Sequence, residues 1–233
     1  MGLNDGLVAY YNCDEGAGTT CHDPINGRNG SYNGSWAAGK LGAGALSLNG
    51  SSHRCIISDH SVFALSSFTA ALWVNPASWS VDYTAIISKQ QLNAPYDTWE
   101  IRKQAGTSYA EAYVLINGTP YSVLTPAVLT TAAWQHLALT YDQATHTLAV
   151  YRNGSATTST APSGALNTNT TDIWLGGNPG VGGRYFSGKI DDVRIYSRAL
   201  TGSEVSQLAA GQAVRPTYSP RRSASRGRSY AFN

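Results

Sequence analysis

Three cysteines, Cys13, Cys21 and Cys55, are the most reactive side chains in this sequence of 233 residues. Proteins that bind zinc usually present cysteines in closely spaced pairs, and no Cys-x-x-Cys pair occurs here. Each cysteine lies among apolar or turn residues, where a thiol packs as a small hydrophobic group. We therefore expect three buried thiols. A disulfide between Cys13 and Cys21 is the alternative, and zinc is not expected.

Carboxylates are the second group that could do chemistry. Retaining hydrolysis of a glycosidic bond needs two carboxyl groups about 5–5.5 Å apart. On one strand, only acids at i and i+2 or i+4 share a face. Asp97 and Glu100 are three residues apart and Asp191 and Asp192 are adjacent, so each pair points to opposite faces. No Gly-x-Ser-x-Gly motif occurs, and we expect His136 to be packed inside a strand. The sequence therefore predicts no enzymatic activity.

Aromatic side chains in loops are candidates for binding a ligand. Trp79, Tyr96 and Tyr185 fall between the predicted strands, where a ring can stay exposed beside polar neighbours. Structural packing is the competing interpretation for each of them. Four other tryptophans are expected in the core or on a sheet face: Trp36, Trp73, Trp134 and Trp174.

The last 22 residues, 212–233, differ in composition from the rest of the chain. They contain five of the arginines and no acidic residue, so the preceding body carries a net charge of −3 although the whole chain carries +2. A segment rich in Pro, Ser and Arg cannot build a core, but it can become ordered on a partner protein. The predicted docking residues are Arg221, Arg222, Arg226, Arg228, Tyr230 and Phe232. A solvated tail is the alternative. Nucleic acid is not the expected partner, because the body has no basic patch.

Strand patterns dominate the elements that must position these residues. Polar and apolar residues alternate in short segments with turn residues between them, and Asn-Gly pairs such as Asn117-Gly118 and Asn153-Gly154 predict tight hairpins. The predicted strands are residues 7–11, 45–48, 55–58, 68–75, 84–89, 98–103, 109–116, 120–124, 134–141, 147–152, 173–176 and 189–196. About a dozen strands in one unbroken chain predict an antiparallel two-sheet sandwich over residues 1–211.

One helix is predicted, directly after the last strand. Thr201 and Glu204 have the spacing of a capping box, and Val205 and Leu208 share the apolar face of the turn that follows. Gly211 provides the stop signal. The fold class is therefore all-β with one short C-terminal helix.

An ordered series of segments resembles the LamG-like jelly-roll domains of the concanavalin A-like lectin/glucanase superfamily. The matching stretches are residues 6–18, 23–30, 39–50, 68–74, 134–142, 148–154 and 190–208. Two departures are Cys13 and Cys55, which stand where the family usually has large apolar residues. The resemblance implies a jelly-roll sandwich, and it does not extend to the tail.

The resemblance also implies a structural calcium ion. Its ligands would be Asp23 and Asn29 of the N-terminal glycine-rich turn and Asp191 of the last strand, because calcium takes six to eight oxygen ligands. Asp191 has the same parity as Val193 and Ile195, which predicts that it points toward the core. The alternative is that Asp23 caps its own turn and Asp191 accepts hydrogen bonds from backbone.

These features predict a non-catalytic recognition or structural module. We expect a component of an extracellular or virion surface assembly that binds carbohydrate and docks through its tail onto other protein subunits. A free-standing lectin-like protein is the alternative, and a glycoside hydrolase or polysaccharide lyase is a weaker one. No signal peptide is visible, and no apolar run reaches the ~18 residues of a membrane span.

Overall fold

Sixteen strands and one α-helix form the parts of the chain that the computed structural model describes, which are residues 2–79, 81–90 and 98–212. A single 3₁₀ turn covers Ser61–Phe63. The strands are β1 (Leu7–Tyr11), β2 (Thr20–Cys21), β3 (Gly30–Tyr32), β4 (Ser35–Ala37), β5 (Ala45–Asn49), β6 (Cys55–Ile57), β7 (Phe68–Pro76), β8 (Ala85–Lys89), β9 (Trp99–Lys103), β10 (Ala110–Ile116), β11 (Thr119–Leu124), β12 (Gln135–Asp142), β13 (Thr147–Arg152), β14 (Ser155–Thr160), β15 (Ile173–Leu175) and β16 (Ser187–Tyr196), and the helix is α1 (Gly202–Ala209).

The strands form two antiparallel sheets of eight. The first sheet has the order β14-β13-β12-β7-β16-β5-β4, and β1 pairs with β16 beside this path. The second has the order β11-β10-β9-β8-β15-β6-β3-β2. Strands that are distant in sequence are neighbours in both sheets, so the chain crosses repeatedly between them. The predicted two-sheet sandwich with one C-terminal helix is confirmed.

The main core lies between the inner faces of the sheets. Leu72 and Leu139 of the first sheet and Ile87 and Ile101 of the second are fully buried in one apolar cluster. The rings of Phe68 and Trp99 meet across it with centroids 5.2 Å apart. Full burial of each such side chain stabilises the fold by roughly 1.5–3 kcal/mol.

Helix α1 covers a smaller apolar cluster on the outer face of the first sheet. Val205 and Leu208 of the helix pack there with Tyr196 of β16. The predicted capping box is present, because Thr201 accepts from the Glu204 N–H and the Glu204 carboxylate accepts from the Thr201 N–H. Within the described residues, no helix is long and apolar enough to cross a membrane.

Four strands were not predicted: β2, β3, β4 and β14. The first three have only two or three residues, too few for a period to show. Strand β14 has the sequence Ser-Ala-Thr-Thr-Ser-Thr and is largely exposed. It lies at the edge of the first sheet, where a strand needs no apolar face. The hairpin that leads into it turns at Asn153-Gly154, as predicted, with both residues at positive φ.

A β-bulge in β16 overturns the parity predicted for Asp191. Pairing with β7 shifts between Asp191 and Arg194, and Asp192 has a φ of +48°. The extra residue reverses which side chains face the core. Asp191 therefore lies opposite Trp73 on the outer face of the first sheet, whereas Ile195 stays on the inner face opposite Ala70.

Candidate functional site

A row of paired residues crosses the outer face of the second sheet from one edge to the other. The register places Glu100 of β9 opposite Tyr113 of β10 and opposite Ser88 of β8, and Ser88 is opposite Trp174 of β15. Residues paired in this way share a face. The full row is Ser122, Tyr113, Glu100, Ser88, Trp174, Ile56, Ser31 and Thr20. We call this surface the row face.

Arg102 organises the charged part of the row face. Its Nε donates to Oε2 of Glu111 at 2.8 Å, and its Nη1 donates to Oε2 of Glu100 at 3.3 Å. The other Glu100 oxygen accepts from Nδ2 of Asn178 at 2.9 Å. Although burial alone would lower it, the charges of Glu100 and Glu111 hold the pKa of Arg102 above its ordinary value. These polar groups are therefore fixed before any ligand arrives.

Two tyrosines enclose the same guanidinium. The Arg102 carbon Cζ lies 4.3 Å from the Tyr113 ring centroid and 4.8 Å from that of Tyr83. Arg184 stacks on Tyr83 at 5.0 Å. Tyr83 is 36% exposed, and Tyr113 is half-buried. Cation–π contacts restrain the rings and leave aromatic surface at the solvent boundary.

Trp174 forms a second aromatic patch on the row face. The guanidinium of Arg54 covers one face of its ring, with Cζ 4.5 Å from the ring centroid. Gly177 lets Tyr185 approach the same tryptophan, because a Cβ at position 177 would lie 3.2 Å from the Tyr185 ring and 3.3 Å from Trp174. Trp174 and Tyr185 are both half-buried. The patch combines exposed ring surface with a cationic neighbour.

Of the three predicted aromatic ligand contacts, the structure places one at this surface. Tyr185 lies beside Trp174 on the row face. Trp79 packs against the core, with its ring 5.6 Å from Phe186. Tyr96 lies outside the described residues, as do the tail residues Arg221, Arg222, Arg226, Arg228, Tyr230 and Phe232. Tail docking therefore stays a prediction.

Sequence reasoning missed most of the row face. The alternation of Glu100 and Arg102 in β9 and of Glu111 and Tyr113 in β10 was visible in the sequence. It marks a polar face on each strand, but the register that joins the two into one surface comes only from strand pairing. Trp174 was expected on a sheet face or in the core, and it lies on the sheet face.

Backbone N–H groups of the N-terminal turn hydrogen-bond to the carboxylate of Asp23, which lies in the same turn. Oδ1 of Asp23 accepts from the N–H groups of Ile25 and Asn26, and Oδ2 lies near that of Arg28. Asn29 does join Asp23, but its Oδ1 accepts from the Asp23 N–H at 3.0 Å. The turn-capping alternative describes this geometry.

Asp191 is buried and contacts the backbone of a different loop. Its Oδ2 accepts from the N–H groups of Lys40 and Leu41 at 2.7 and 2.9 Å, and its Oδ1 has no hydrogen-bond partner among the described residues. Burial is the main cause that raises the pKa of Asp191 to about 6.

The predicted calcium ligands do not fit a shared ion in this arrangement. Calcium needs carboxylate oxygens that face it, but both oxygens of Asp23 and Oδ2 of Asp191 face N–H groups, which leaves only Oδ1 of Asp191 without a partner. Within residues 2–79, 81–90 and 98–212, no group of three or more His, Cys, Asp or Glu side chains could hold a metal. Calcium binding stays a prediction from the resemblance, and this arrangement of side chains predicts against it.

Removing calcium is therefore expected to leave the melting temperature unchanged. An ion that binds the folded chain must raise its stability, so a chelator would lower the melting temperature if such an ion were bound. The measurement is differential scanning calorimetry in EDTA, in excess CaCl₂ and in excess MgCl₂ as the control for ionic effects. A fall in EDTA that CaCl₂ alone restores would contradict the expectation and support the predicted ion.

The chain belongs to the concanavalin A-like lectin/glucanases superfamily, since the model of that family matches residues 49–206. This match covers more than half of the chain and includes β6–β16 and most of α1. The resemblance that the sequence motifs carried is therefore confirmed. A comparison with curated proteins gives no match.

Solved structures extend the likeness to almost the whole chain. Domain 4 of AbnA, an extracellular arabinanase from Geobacillus stearothermophilus, was solved in complex with arabinotriose. It is 25% identical with a TM-score of 0.71, and the match covers 87% of this chain and 98% of that one.

Two toxin binding domains share the fold at lower identity. The binding domain of Paraclostridial Mosquitocidal Protein 1 is 17% identical with a TM-score of 0.69, and the match covers 90% of this chain and 53% of that one. The binding domain of botulinum neurotoxin DC, solved in complex with SialylT, is 14% identical with a TM-score of 0.66, covering 90% and 52%. This chain thus spans about half the length of each toxin domain.

Proposed function

We propose that this domain binds carbohydrate without cleaving it, through the row face. The observation that carries the proposal is the sheet face on which Trp174, Tyr185, Tyr113 and Tyr83 stand partly exposed beside fixed polar groups, with the buried Glu100 and Ser88 between the two aromatic patches. Sugar rings present apolar faces and hydroxyl edges, which aromatic rings and preorganised hydrogen-bonding groups complement. The superfamily and the arabinotriose bound by the AbnA domain give additional support.

The carboxylates of this face support binding rather than hydrolysis. Glu100 and Glu111 share the face, so a pair of acids is present on neighbouring strands. Both accept hydrogen bonds from Arg102, and Glu100 also accepts from Asn178. A hydrolase needs one carboxyl group free to protonate the leaving oxygen and another to attack or activate water. Here three of the four carboxylate oxygens are held by the protein itself.

Glycan binding should depend on Trp174. We expect Trp174→Ala to raise the dissociation constant for the glycan about 30-fold, since a central aromatic contact contributes about 2 kcal/mol or more to binding. The probes are a glycan array that includes arabino-oligosaccharides and sialylated oligosaccharides, followed by isothermal titration calorimetry with the best ligand.

The matched control is Trp36→Ala, which removes a half-buried tryptophan from β4 of the first sheet. This variant should bind as the unchanged chain does. Equal weakening by both substitutions would contradict the row face as the site, and no binding anywhere on the array would contradict carbohydrate recognition. Release of reducing ends from a bound polysaccharide would contradict the non-catalytic role.

The assembly to which this domain would belong is proposed from the sequence alone. An assembly at an extracellular or virion surface, with residues 212–233 as the docking segment, depends on the composition of that tail. Its test is deletion of residues 212–233. The deletion should leave glycan binding intact and abolish attachment to the partner subunits.

A further inference from the structure

Two arginines border the row face without an acidic partner. The guanidinium of Arg184 stacks on the Tyr83 ring at 5.0 Å, and that of Arg54 stacks on Trp174 at 4.5 Å. Both arginines are half-buried, so part of each side chain reaches solvent. The ion pairs among the described residues all use other cations. Charges at a binding surface complement those of the ligand, so unpaired cations here point to an anionic one.

Most hydrogen-bonding groups of these two guanidiniums are also unused. Nη1 of Arg54 donates to the carbonyl oxygen of Ser52 at 3.0 Å, and its Nε has no partner among the described residues. The Arg184 side chain contacts the Tyr83 ring and has no hydrogen-bond partner in the part of the chain that the structure describes. A ring that stacks on the flat face of a guanidinium leaves the N–H groups at its edge, which can bind an oxyanion with two parallel hydrogen bonds.

Arg102, at the middle of the same surface, is not available in this way. It pairs with both Glu100 and Glu111, and these three side chains together carry one negative charge. This cluster therefore repels an anion, whereas the two unpaired arginines attract one. An acidic group of a ligand is expected at the flanks of the row face and not at its centre.

The two remaining acids near these arginines have other partners. Asp82 precedes Tyr83 in the chain, but its Oδ1 accepts from Nζ of Lys103 at 2.6 Å. Asp172 precedes β15 and accepts from the Asp59 N–H at 2.9 Å. Because β15 and β6 are antiparallel and Arg54 precedes β6, Asp172 and Arg54 lie at opposite ends of this strand pair. Neither acid neutralises the arginines.

Consecutive residues connect the two aromatic patches. Arg184 reaches Tyr83 in one patch, and Tyr185 lies beside Trp174 in the other. The carbonyl oxygen of Arg184 accepts from the Ala85 N–H at 3.0 Å, which fixes this segment against β8. A sugar ring that packs on Tyr185 is therefore next to the residue that carries an unpaired guanidinium.

We propose that the row face selects acidic sugars, whose carboxylate or sulfate group binds at the edge of the Arg184 or Arg54 guanidinium. The proposal rests on carbohydrate binding at this face and adds the charge of the ligand. The aromatic rings contact the sugar ring, and the arginine supplies the charge-assisted hydrogen bonds. A neutral sugar offers only hydroxyl groups at the same place, and these make weaker hydrogen bonds.

Paired glycans test the proposal on the unchanged full-length chain. A glycan array presents sialylated, uronic acid and sulfated oligosaccharides, each beside its neutral counterpart, the methyl ester or the desulfated form. We expect the acidic member of the best-bound pair to bind about tenfold more tightly in isothermal titration calorimetry. The two chemical arms show whether carboxylate or sulfate is preferred. Raising NaCl to about 1 M, where the Debye length is about 3 Å, should reduce the difference within the pair.

A double variant tests the two arginines. Arg54→Gln/Arg184→Gln should lower the affinity for the acidic glycan about tenfold and leave the affinity for its neutral counterpart nearly unchanged. The matched control is Lys40→Gln/Lys189→Gln, which removes the same charge from the first sheet, including a cation that stacks on Trp73 at 4.9 Å. This control should bind both glycans as the unchanged chain does.

The possible failures are distinguishable. Equal affinity of the unchanged chain for the acidic and neutral members of every bound pair would overturn the preference for acidic sugars and leave carbohydrate binding in place. No binding to any glycan would overturn both proposals. A preference that persists in Arg54→Gln/Arg184→Gln, or that is lost equally in the control, would contradict the role of these two arginines.

Discussion

Replacing Asp192 with alanine is expected to lower the free energy of unfolding by about 3–5 kcal/mol, because it leaves Arg194 buried without its counter-charge. Asp192 holds Arg194 in a two-point contact. The Arg194 Nε lies 2.5 Å from Oδ1 of Asp192, and Nη2 donates to Oδ2 at 2.9 Å. Only 2% of Arg194 is exposed. Although burial acts to lower it, the Asp192 charge keeps the pKa of Arg194 raised, so the guanidinium cannot escape the cost by losing its proton.

The bulge complicates the choice of substitution. Asp192 has a φ of +48°, a conformation that asparagine and aspartate tolerate better than alanine. Asp192→Asn keeps the shape of the side chain and tolerates the positive φ, so it removes only the charge. It should therefore lower the free energy of unfolding almost as much as Asp192→Ala does. Replacing Arg194 as well, in Asp192→Ala/Arg194→Met, should recover part of the stability, because no buried charge is then left unpaired.

Urea unfolding of Asp192→Ala, of Arg194→Met and of the double variant measures the coupling between these residues. A coupling of a few kcal/mol is expected. If the two single losses simply add, or if Asp192→Ala costs less than about 1 kcal/mol as a surface substitution does, the ion pair is not a main support of the bulge.

The fold was largely predictable from sequence because its signals are local. Alternation in residues 68–74, the Asn153-Gly154 turn and the Thr201 capping box each depend on a few neighbouring residues, and the structure contains all three. Predicted strand bounds agree with the structure at 13 of 24 ends and differ by one or two residues at the other 11, as expected where strands fray into loops. The edge strand β14 was missed because its position, at the margin of the sheet, removes the pattern that reveals a strand.

The candidate site was less predictable because it depends on register. Glu100, Tyr113 and Trp174 lie on one row only because β9 pairs with β10 and β8, and β8 with β15. None of these offsets can be read from one strand alone. The bulge at Asp192 shows the same limit, since one extra residue moves Asp191 to the opposite face and away from the core.

The second large effect is a loss of stability at low pH, which we expect from the buried His136. His136 is 2% exposed and stacks edge-on against Trp73, with centroids 5.4 Å apart, as the sequence predicted for a packed histidine. Burial, and then the charge of Arg194, lower the pKa of His136 to about 3. In the unfolded chain a histidine has a pKa near 6.5. Between these values the unfolded state binds more protons, so stability falls as the pH falls from about 6.5 toward 3.

This histidine alone should therefore cost about 3 kcal/mol between pH 7 and pH 4. We expect His136→Gln to lose that much less stability than the unchanged chain over the same interval, because the amide does not titrate. Urea unfolding at both pH values measures the difference, and His22→Gln, which replaces an exposed histidine, should keep the full loss.

Identical pH dependence in the unchanged chain and in His136→Gln would contradict the depressed pKa. So would an NMR titration in which the His136 ring gains a proton above pH 5, and that measurement needs no variant. The result bears on the whole outer face of the first sheet, since His136 stays neutral there only while the face excludes water and Arg194 keeps its charge beside it.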